Sequence, residues 1–437
     1  FNGNDQFKYR VVGDVSEGIV DITINDVIGI VKVFNDVQEG YSEAFSDISY
    51  DHSSGGYLVS GLSRERGDDG GSTFSMISLK TDSSLEAITY TNNLINFDKF
   101  NFGWPQWGVA ATFAPGYFMS KNSSNGEFVA FYDTGLWIVN ENTVVGNHSA
   151  DHPPSQTWSF DNQNYPYAQE ITGMIQGDDG YIAALSMWNQ KDISSSCGYI
   201  NEIYPAIAKS DLQGNFLYYL PIDYESDDTK NMIFYGGNLI KGESEDIYYI
   251  LGASERCSFS NSYQLLLLKF YDNGTSFEHL GTYNLSEQSN SPVRFYGSRY
   301  HVADSHSISS NNIKFSAITD LGLATWDLDI NSNTITYQGI SGDFGSPASS
   351  QFELLGGSSE FYIAESTYGG DINVSKFDGS SVARIWKKEI DVMASGYEDV
   401  IGGMTLNDNG VAISGSFRES VNDDWNGFIL LLDSNGD

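Results

Sequence analysis

The sequence is short of basic residues: 22 Lys and Arg stand against 58 Asp and Glu, a formal charge of −36 and a pI near 4.2. A nucleic-acid binder needs a basic footprint to displace counterions from phosphate, and this chain has none. The same shortage argues against docking on an anionic membrane surface. Long apolar runs are missing too, and a membrane helix needs about 20 such residues. Cysteine is confined to Cys197 and Cys257, too few for a disulfide scaffold or a four-cysteine zinc site. The start has no charged segment followed by an apolar one, and it opens on Phe1, which reads as a processed, exported chain. No G-x-S-x-G elbow, P-loop or H-E-x-x-H is present. On that ground no enzymatic activity is expected.

Other features are abundant. Hydrophobic residues make up 40% and aromatics 14%, so a real core can form. Long helical periodicity is absent. Short stretches rich in Val, Ile, Tyr and Phe alternate with turns of Gly, Asn, Asp and Ser, which is an all-β pattern.

The strands repeat. An apolar strand running into an Asp- or Asn-bearing turn recurs at 75–82, 136–142, 206–214, 265–274, 324–331, 372–379 and 428–437. A partner strand precedes each copy, as in Gly56-Tyr-Leu-Val-Ser-Gly61 and Gly410-Val-Ala-Ile-Ser-Gly415. A further strand follows six of the turns, and segments such as 43–48 and 397–401 can serve as innermost strands. Four strands in each of seven copies predict a seven-bladed β-propeller of four-stranded antiparallel blades, because stacked blades cover faces that one small sheet cannot bury. The seventh copy lacks its fourth strand. The strand-like run at 6–12 is expected to supply it and close the ring. Residues 1–36 are thus read as an N-terminal strand segment and 37–437 as the propeller. An alternative stays open: the N-terminal strands insert into a neighbouring molecule, as in donor-strand polymerisation.

The motifs Gly55-Gly-Tyr-Leu-Val-Ser-Gly61 and Leu431-Leu-Asp-Ser-Asn-Gly436 resemble the blade pattern of secreted microbial β-propeller repeat proteins. The resemblance covers nearly the whole chain and carries no functional signature. It implies an exported or cell-surface binding or structural module.

Cys197 and Cys257 fall in equivalent loops of adjacent blades, which emerge side by side on one face, so a disulfide between them is expected. It would suit an oxidising compartment. Five sequons, at Asn122, Asn147, Asn273, Asn284 and Asn373, point to N-glycosylation. His301, Asp304 and His306 offer imidazole and carboxylate ligands for a transition metal, as do His148, Asp151 and His152. Asp433, Asn435 and Asp437 offer oxygens suited to Ca2+, although such residues serve more often as plain hairpin turns. Beyond that possible Ca2+, no cofactor is expected. The segment from Gly67 to Phe74 approximates a sialidase-type Asp-box, but has Gly where Ser is expected and precedes a third strand instead of following it.

Two functions remain in view. One is a non-catalytic extracellular glycoprotein, at the cell surface or in a filament, acting through contacts with its own copies or with other surface proteins. The other is a carbohydrate-binding or carbohydrate-active propeller with its site at the central channel.

Overall fold

The computed structural model describes residues 3–10, 17–24, 29–34, 41–52, 54–65, 73–91, 96–98, 118–120, 128–132, 135–139, 144–145, 167–177, 179–189, 202–212, 216–222, 232–256, 263–285, 303–309, 311–319, 322–341, 350–356, 359–367, 371–392, 398–418 and 425–437. The chain is an all-β propeller of four-stranded antiparallel meanders.

Strands β1 (Gly3–Arg10) and β2 (Glu17–Ile24) pair only with each other in the sheet topology, and β3 (Ile30–Phe34) follows. The first meander is β4 (Tyr41–Asp51), β5 (Gly56–Glu65), β6 (Thr73–Thr81) and β7 (Ala87–Thr91), with β8 (Asn96–Asp98) also on β6. Next come β9 (Phe118–Ser120), β10 (Phe128–Tyr132), β11 (Gly135–Val139) and β12 (Val144–Val145). Then follow β13 (Tyr167–Gln176), β14 (Gly180–Asn189), β15 (Glu202–Asp211) and β16 (Phe216–Pro221). After these are β17 (Met232–Lys241), β18 (Ile247–Arg256), β19 (Tyr263–Asp272) and β20 (Phe277–Asn284). The next meander is β21 (Ala303–Ser309), β22 (Asn312–Thr319), β23 (Gly322–Asp329) and β24 (Thr334–Ser341). It is followed by β25 (Ser350–Gly356), β26 (Glu360–Thr367), β27 (Ile372–Asp378) and β28 (Arg384–Ile390). The last is β29 (Glu398–Leu406), β30 (Gly410–Arg418) and β31 (Asn426–Asp433), completed by β3.

The repeat predicts seven blades, whereas six sheets have four or more strands. The difference lies in one eight-stranded sheet, where β13–β16 and β17–β20 share a lone parallel pairing of Ile203 with Ile233. Strands touch around the ring: β29 lies against β4, β4 against β9, β10 against β13, β13 against β17, β17 against β21, β21 against β25, and β25 against β29.

The ring closes through the N-terminal region, but not through residues 6–12. Ile30–Phe34 pairs with β31 from Ile30↔Leu431 to Phe34↔Gly427, while residues 3–10 pair with 17–24. Connectivity explains the choice. In a meander the fourth strand feeds directly into the next first strand, and β3 is the strand immediately upstream of β4.

The apolar cores lie between sheets, not on the axis. One packs Ile240, Tyr249, Phe315, Trp326, Phe361 and Phe377 across three successive meanders. Another packs Phe34, Phe45, Ile48 and Val59 against Ala412 and Ile429, joining the last meander to the first. Because neighbours cover both faces, β30 is buried along its whole length.

Two faces follow from the topology. The hairpins joining first to second and third to fourth strands form a turn face; the remaining loops and the links between meanders form a loop face. On the turn face the recurring Asp caps the hairpin. Asp82 Oδ1 accepts N–H bonds from Ser84 at 2.8 Å and Glu86 at 2.9 Å, and Asp378 Oδ1 accepts from Ser380 at 3.1 Å and Ser381 at 2.7 Å. These short loops force positive φ at Leu85 (62°) and Val382 (57°).

Seams between meanders are stitched in one direction, side chain to the next third-to-fourth turn. Lys209 reaches Asp272 at 2.8 Å, Lys314 reaches the Ser380 carbonyl at 2.8 Å, and Lys376 reaches the Ser434 carbonyl at 3.0 Å. Tyr283 donates to Asn333 in the same manner. Lys32 on the closing strand reaches Glu86 at 2.7 Å and stitches the last meander to the first.

The outer edge has its own periodicity. The fourth strands β7, β16, β20, β24 and β28 each carry a bulge, at Ile88, Leu217, Leu280, Gln338 and Ile385. Four of those residues are the exposed aliphatics Ile88 (54%), Leu217 (48%), Leu280 (49%) and Ile385 (55%). Bulges twist an edge away from further pairing. β3 has an unbroken register.

Candidate functional site

Buried charge collects on the loop face, around the last meander and its two neighbours. Asp371 precedes β27, Asp391 follows β28, and Asp399 stands near the start of β29. One carboxylate oxygen from each lies within 4.8 Å of the others. Asp399 is only 2% exposed and accepts the Val392 N–H through Oδ2 at 3.1 Å. Beside it, Arg418 ends β30 and Trp425 precedes β31. The Arg418 guanidinium stands 4.7 Å from the centre of the Trp425 ring. Trp425 packs with Val400, and its carbonyl accepts the Glu43 N–H at 3.1 Å, tying the site to β4. Glu43 (0%), Glu365 (5%) and Arg418 (7%) are all buried at this end of their strands.

The strands put these groups together because each element starts or stops at the same face. Chemically the arrangement brings a buried carboxylate at Asp399, a half-buried one at Asp371 and an exposed one at Asp391 near a buried planar cation and indole, Arg418 (7% exposed) and Trp425 (8% exposed). Converging carboxylates can share a hard cation such as Ca2+ or work as an acid and base pair. Arg on Trp is a cation–π contact.

A second kind of charged cluster lies on the turn face. Lys269 with Glu243 and Tyr249, and Lys376 with Glu360 and Tyr362, repeat one geometry within a meander, while Lys209 and Tyr218 meet Asp272 of the next meander. The ammonium sits 5.4, 5.5 and 5.9 Å from the respective Tyr ring centre. Burial is the leading cause that pushes the phenols of Tyr218, Tyr249 and Tyr362 above their ordinary range, and the neighbouring carboxylate adds to it. Shifted pKa values often mark active sites. Here the recurrence on the turn face, and phenols made less willing to ionise, assign the clusters to structure.

The expected sites are placed as follows. Asp433 Oδ1 accepts the backbone N–H groups of Asn435 at 2.8 Å and Asp437 at 2.9 Å, and Asp437 Oδ1 meets Lys388 at 3.0 Å. Among the described residues, the carboxylates of Asp371, Asp391 and Asp399 form a converging group. Asp304 and His306 lie on β21, with His306 at a bulge between Ser305 and Ser307, and His301 falls outside the described residues. So do Cys197, Cys257, Asn122, Asn147, the His148–His152 cluster and 66–72 of the Asp-box-like segment. Asn273 stands exposed on a turn, accepting N–H bonds from Thr275 and Ser276. Asn284 ends β20, half-buried. Asn373 sits inside β27 between Glu365 and Glu389 and is half-buried.

Sequence reasoning did not find Asp371, Asp391, Asp399 or Arg418 as a site. They come from three separate loops and no local motif joins them. The lysines were findable: Lys80, Lys209 and Lys376 each stand two residues before the turn Asp.

No protein-family model matches the chain, and none of the curated proteins does. Solved structures do. A polysaccharide lyase of family PL25, an ulvan lyase bound to -[GlcA(1-4)Rha3S]-, aligns with TM-score 0.51 and 12% identity over 90% of this chain and 95% of its own. Trypanosoma rangeli sialidase in complex with the inhibitor DANA aligns with TM-score 0.43 and 9% identity over 89% of this chain and 55% of its own. An exo-β-1,3-galactanase from Clostridium thermocellum gives TM-score 0.35 and 8% identity, covering 61% and 59%. The chain thus spans little more than half the length of the latter two. Similarity at this identity shows the propeller fold alone. It also corrects the expectation that the chain is not an enzyme. The lyase shares the architecture nearly end to end, so neither the fold nor the lack of a linear motif removes catalysis.

Proposed function

We propose that the chain is a carbohydrate-active or carbohydrate-binding propeller that works outside the cell and engages saccharide on its loop face. The observation that carries this reading is Arg418 stacked on Trp425 beside the buried carboxylates of Asp399 and Glu43. Aromatic surface plus directional polar groups is what sugar recognition requires. The shared architecture with carbohydrate-active enzymes supports it. In this proposal Asp371, Asp391 and Asp399 face the ligand and hold Ca2+. The chain's charge of −36 favours a neutral saccharide, or an acidic one bridged by that cation. The finer features belong to the same proposal: seven blades, counting the fused eight-stranded sheet twice; a Cys197–Cys257 disulfide; and glycans on sequons such as Asn273.

The test is calorimetry and product analysis against neutral and uronate-containing polysaccharides, with and without Ca2+. Binding or cleavage of at least one is expected. It should be lost in Arg418→Lys and weakened in Asp391→Asn, both with an unchanged melting temperature. No heat and no product across the whole series would refute the reading.

A further inference from the structure

The dipeptide Asn-Gly occurs six times in the chain, and four copies lie among the described residues: Asn273-Gly274, Asn409-Gly410, Asn426-Gly427 and Asn435-Gly436. Glycine has no Cβ, so its backbone nitrogen can closely approach the carbonyl carbon of the preceding side-chain amide. Attack of that nitrogen on that carbon needs two freedoms. The amide must swing over the backbone, and the glycine nitrogen must leave its own hydrogen bond. Bonds that have to break first add to the barrier.

The four sites differ in both respects. Asn426 lies in β31, where Gly427 is paired with Ser416 on one side and Phe34 on the other. Gly410 opens β30; its N–H donates to Asn407 Oδ1 at 2.7 Å, and a Cβ there would meet the Leu432 carbonyl oxygen at 2.2 Å. Asn273 is exposed but fastened. Its Oδ1 accepts the Thr275 N–H (3.0 Å), the Thr275 hydroxyl (2.9 Å) and the Ser276 N–H (2.9 Å), and its Nδ2 donates to Ser276 Oγ (2.9 Å) and Glu278 Oε1 (3.2 Å). The Gly274 N–H is held by the Asp272 carboxylate at 2.9 Å. Asn435 is exposed as well, yet among the described residues its amide has one contact, from Nδ2 to Asp433 Oδ2 at 3.5 Å, beyond ordinary hydrogen-bond length. Gly436 lies past the end of β31 with φ of 83°, and its N–H donates to a backbone carbonyl, that of Asp433, at 3.0 Å. It faces the side chains of Trp386 and Lys388, not a neighbouring backbone.

We propose that Asn435 is a self-modification site, which converts in the folded protein through a succinimide while the other three described pairs stay intact. The Gly436 nitrogen attacks Asn435 Cγ. The N–Cγ bond forms, the Cγ–Nδ2 bond breaks, and ammonia leaves with the proton that the Gly436 nitrogen gives up. Solvent water then opens the ring. Attack at Cγ yields aspartate; attack at the Asn435 main-chain carbonyl carbon yields isoaspartate, with one more carbon in the backbone. Either product adds negative charge to the turn that already holds Asp433 and Asp437. That turn is a joint: the Ser434 carbonyl accepts Lys376 Nζ at 3.0 Å and Trp386 Nε1 at 3.1 Å, and Asp437 meets Lys388 at 3.0 Å. Conversion therefore acts on the seam between the last two meanders, and the converted fraction records the age of a chain.

Peptide mapping by mass spectrometry tests this, after the full chain has stood in mildly alkaline heavy-oxygen water, with a urea-unfolded sample alongside. Heavy oxygen marks each ring opened during the incubation. In the folded chain the peptide containing Asn435 should take up label at least about tenfold faster than the one containing Asn273, a difference of about 1.4 kcal/mol in barrier. In urea the two rates should converge, because the dipeptide is the same. The variant Asn435→Gln should take up none at that position, since its longer side chain has to close a larger ring. A folded chain in which Asn435 takes up no label overturns the proposal, as does one in which Asn273, Asn409 or Asn426 keeps pace with it. A gap that persists in urea also overturns it, because flanking sequence and not the fold would then set the rate.

Discussion

Lys209→Met probes the stitching of the seams. The substitution keeps the length of the stem and deletes the charge. In the native protein the ammonium lies 2.8 Å from Asp179 and 2.8 Å from Asp272. Asp179 is 71% exposed, so its share is screened and small. Asp272 is only 5% exposed, and losing its counter-ion strands a carboxylate. Breaking a buried pair from one side costs about 3–5 kcal/mol, against under about 1 for a surface pair. Tyr218 (2.6 Å) and the Gly274 N–H (2.9 Å) still donate to Asp272, which points to the lower end of that range. With a urea slope of about 4 kcal/mol/M for a chain of this size, the midpoint should fall by about 0.7–1 M. Adding Asp272→Asn removes the stranded charge and keeps an acceptor for both donors, so most of the loss should return. Desolvation is the largest influence on Lys209 and lowers its pKa, but the bonds to Asp179 and Asp272 outweigh it and leave the pKa raised. The pair's contribution is therefore complete below the unfolded value of about 10.4 and disappears as pH rises through the native one. The gap between wild type and variant should be flat from about pH 6 to 9 and close above about pH 10.5. A midpoint shift under about 0.2 M, or a double variant no better than the single, would refute the reasoning.

Acid should loosen the turn face. Hydrogen bonds hold Asp378 and Asp329 below the ordinary carboxylate range, and the bond from Lys269 does the same for Glu243 against the opposing effect of burial. A depressed native pKa contributes stability that is complete above about pH 4 and lost as pH falls further, so urea midpoints should drop below about pH 4. Gly427→Ala tests the closing seam. A Cβ there would stand 2.5 Å from the Phe45 ring, and overpacking of this kind costs about 1–3 kcal/mol, read as a lowered urea midpoint.

The repeat was legible because both of its signals are local: alternation in each strand and an Asp or Asn at each third-to-fourth turn. The closing strand was misplaced because the stretches 6–12 and 30–34 look alike in alternation. What separates them is connectivity, since only 30–34 leads straight into β4. The blade count differs for a different reason: a lone bridge from Ile203 to Ile233 merges two meanders, and no pattern of residues foretells a single pairing. The Asp433 turn was legible because its side chains are close in sequence, and there backbone N–H groups bond Asp433 Oδ1. The group at Asp371, Asp391 and Asp399 was invisible for the converse reason. Its members stand up to 28 positions apart and meet only when two meanders dock.

The pairing of β3 with β31 also sets a clock. The first partner of that pair leaves the ribosome about 400 residues before the second, a wait of about 20–80 s at 5–20 residues per second. Throughout it Phe34 has no Gly427 to face, and Phe45 and Ile48 lack the apolar cover of the last meander. Synthesis therefore produces an open arc before it produces a ring, and the gap is the last thing to heal. Whatever guards that arc, by holding the early strand or by keeping copies apart, decides how much chain reaches the closed state.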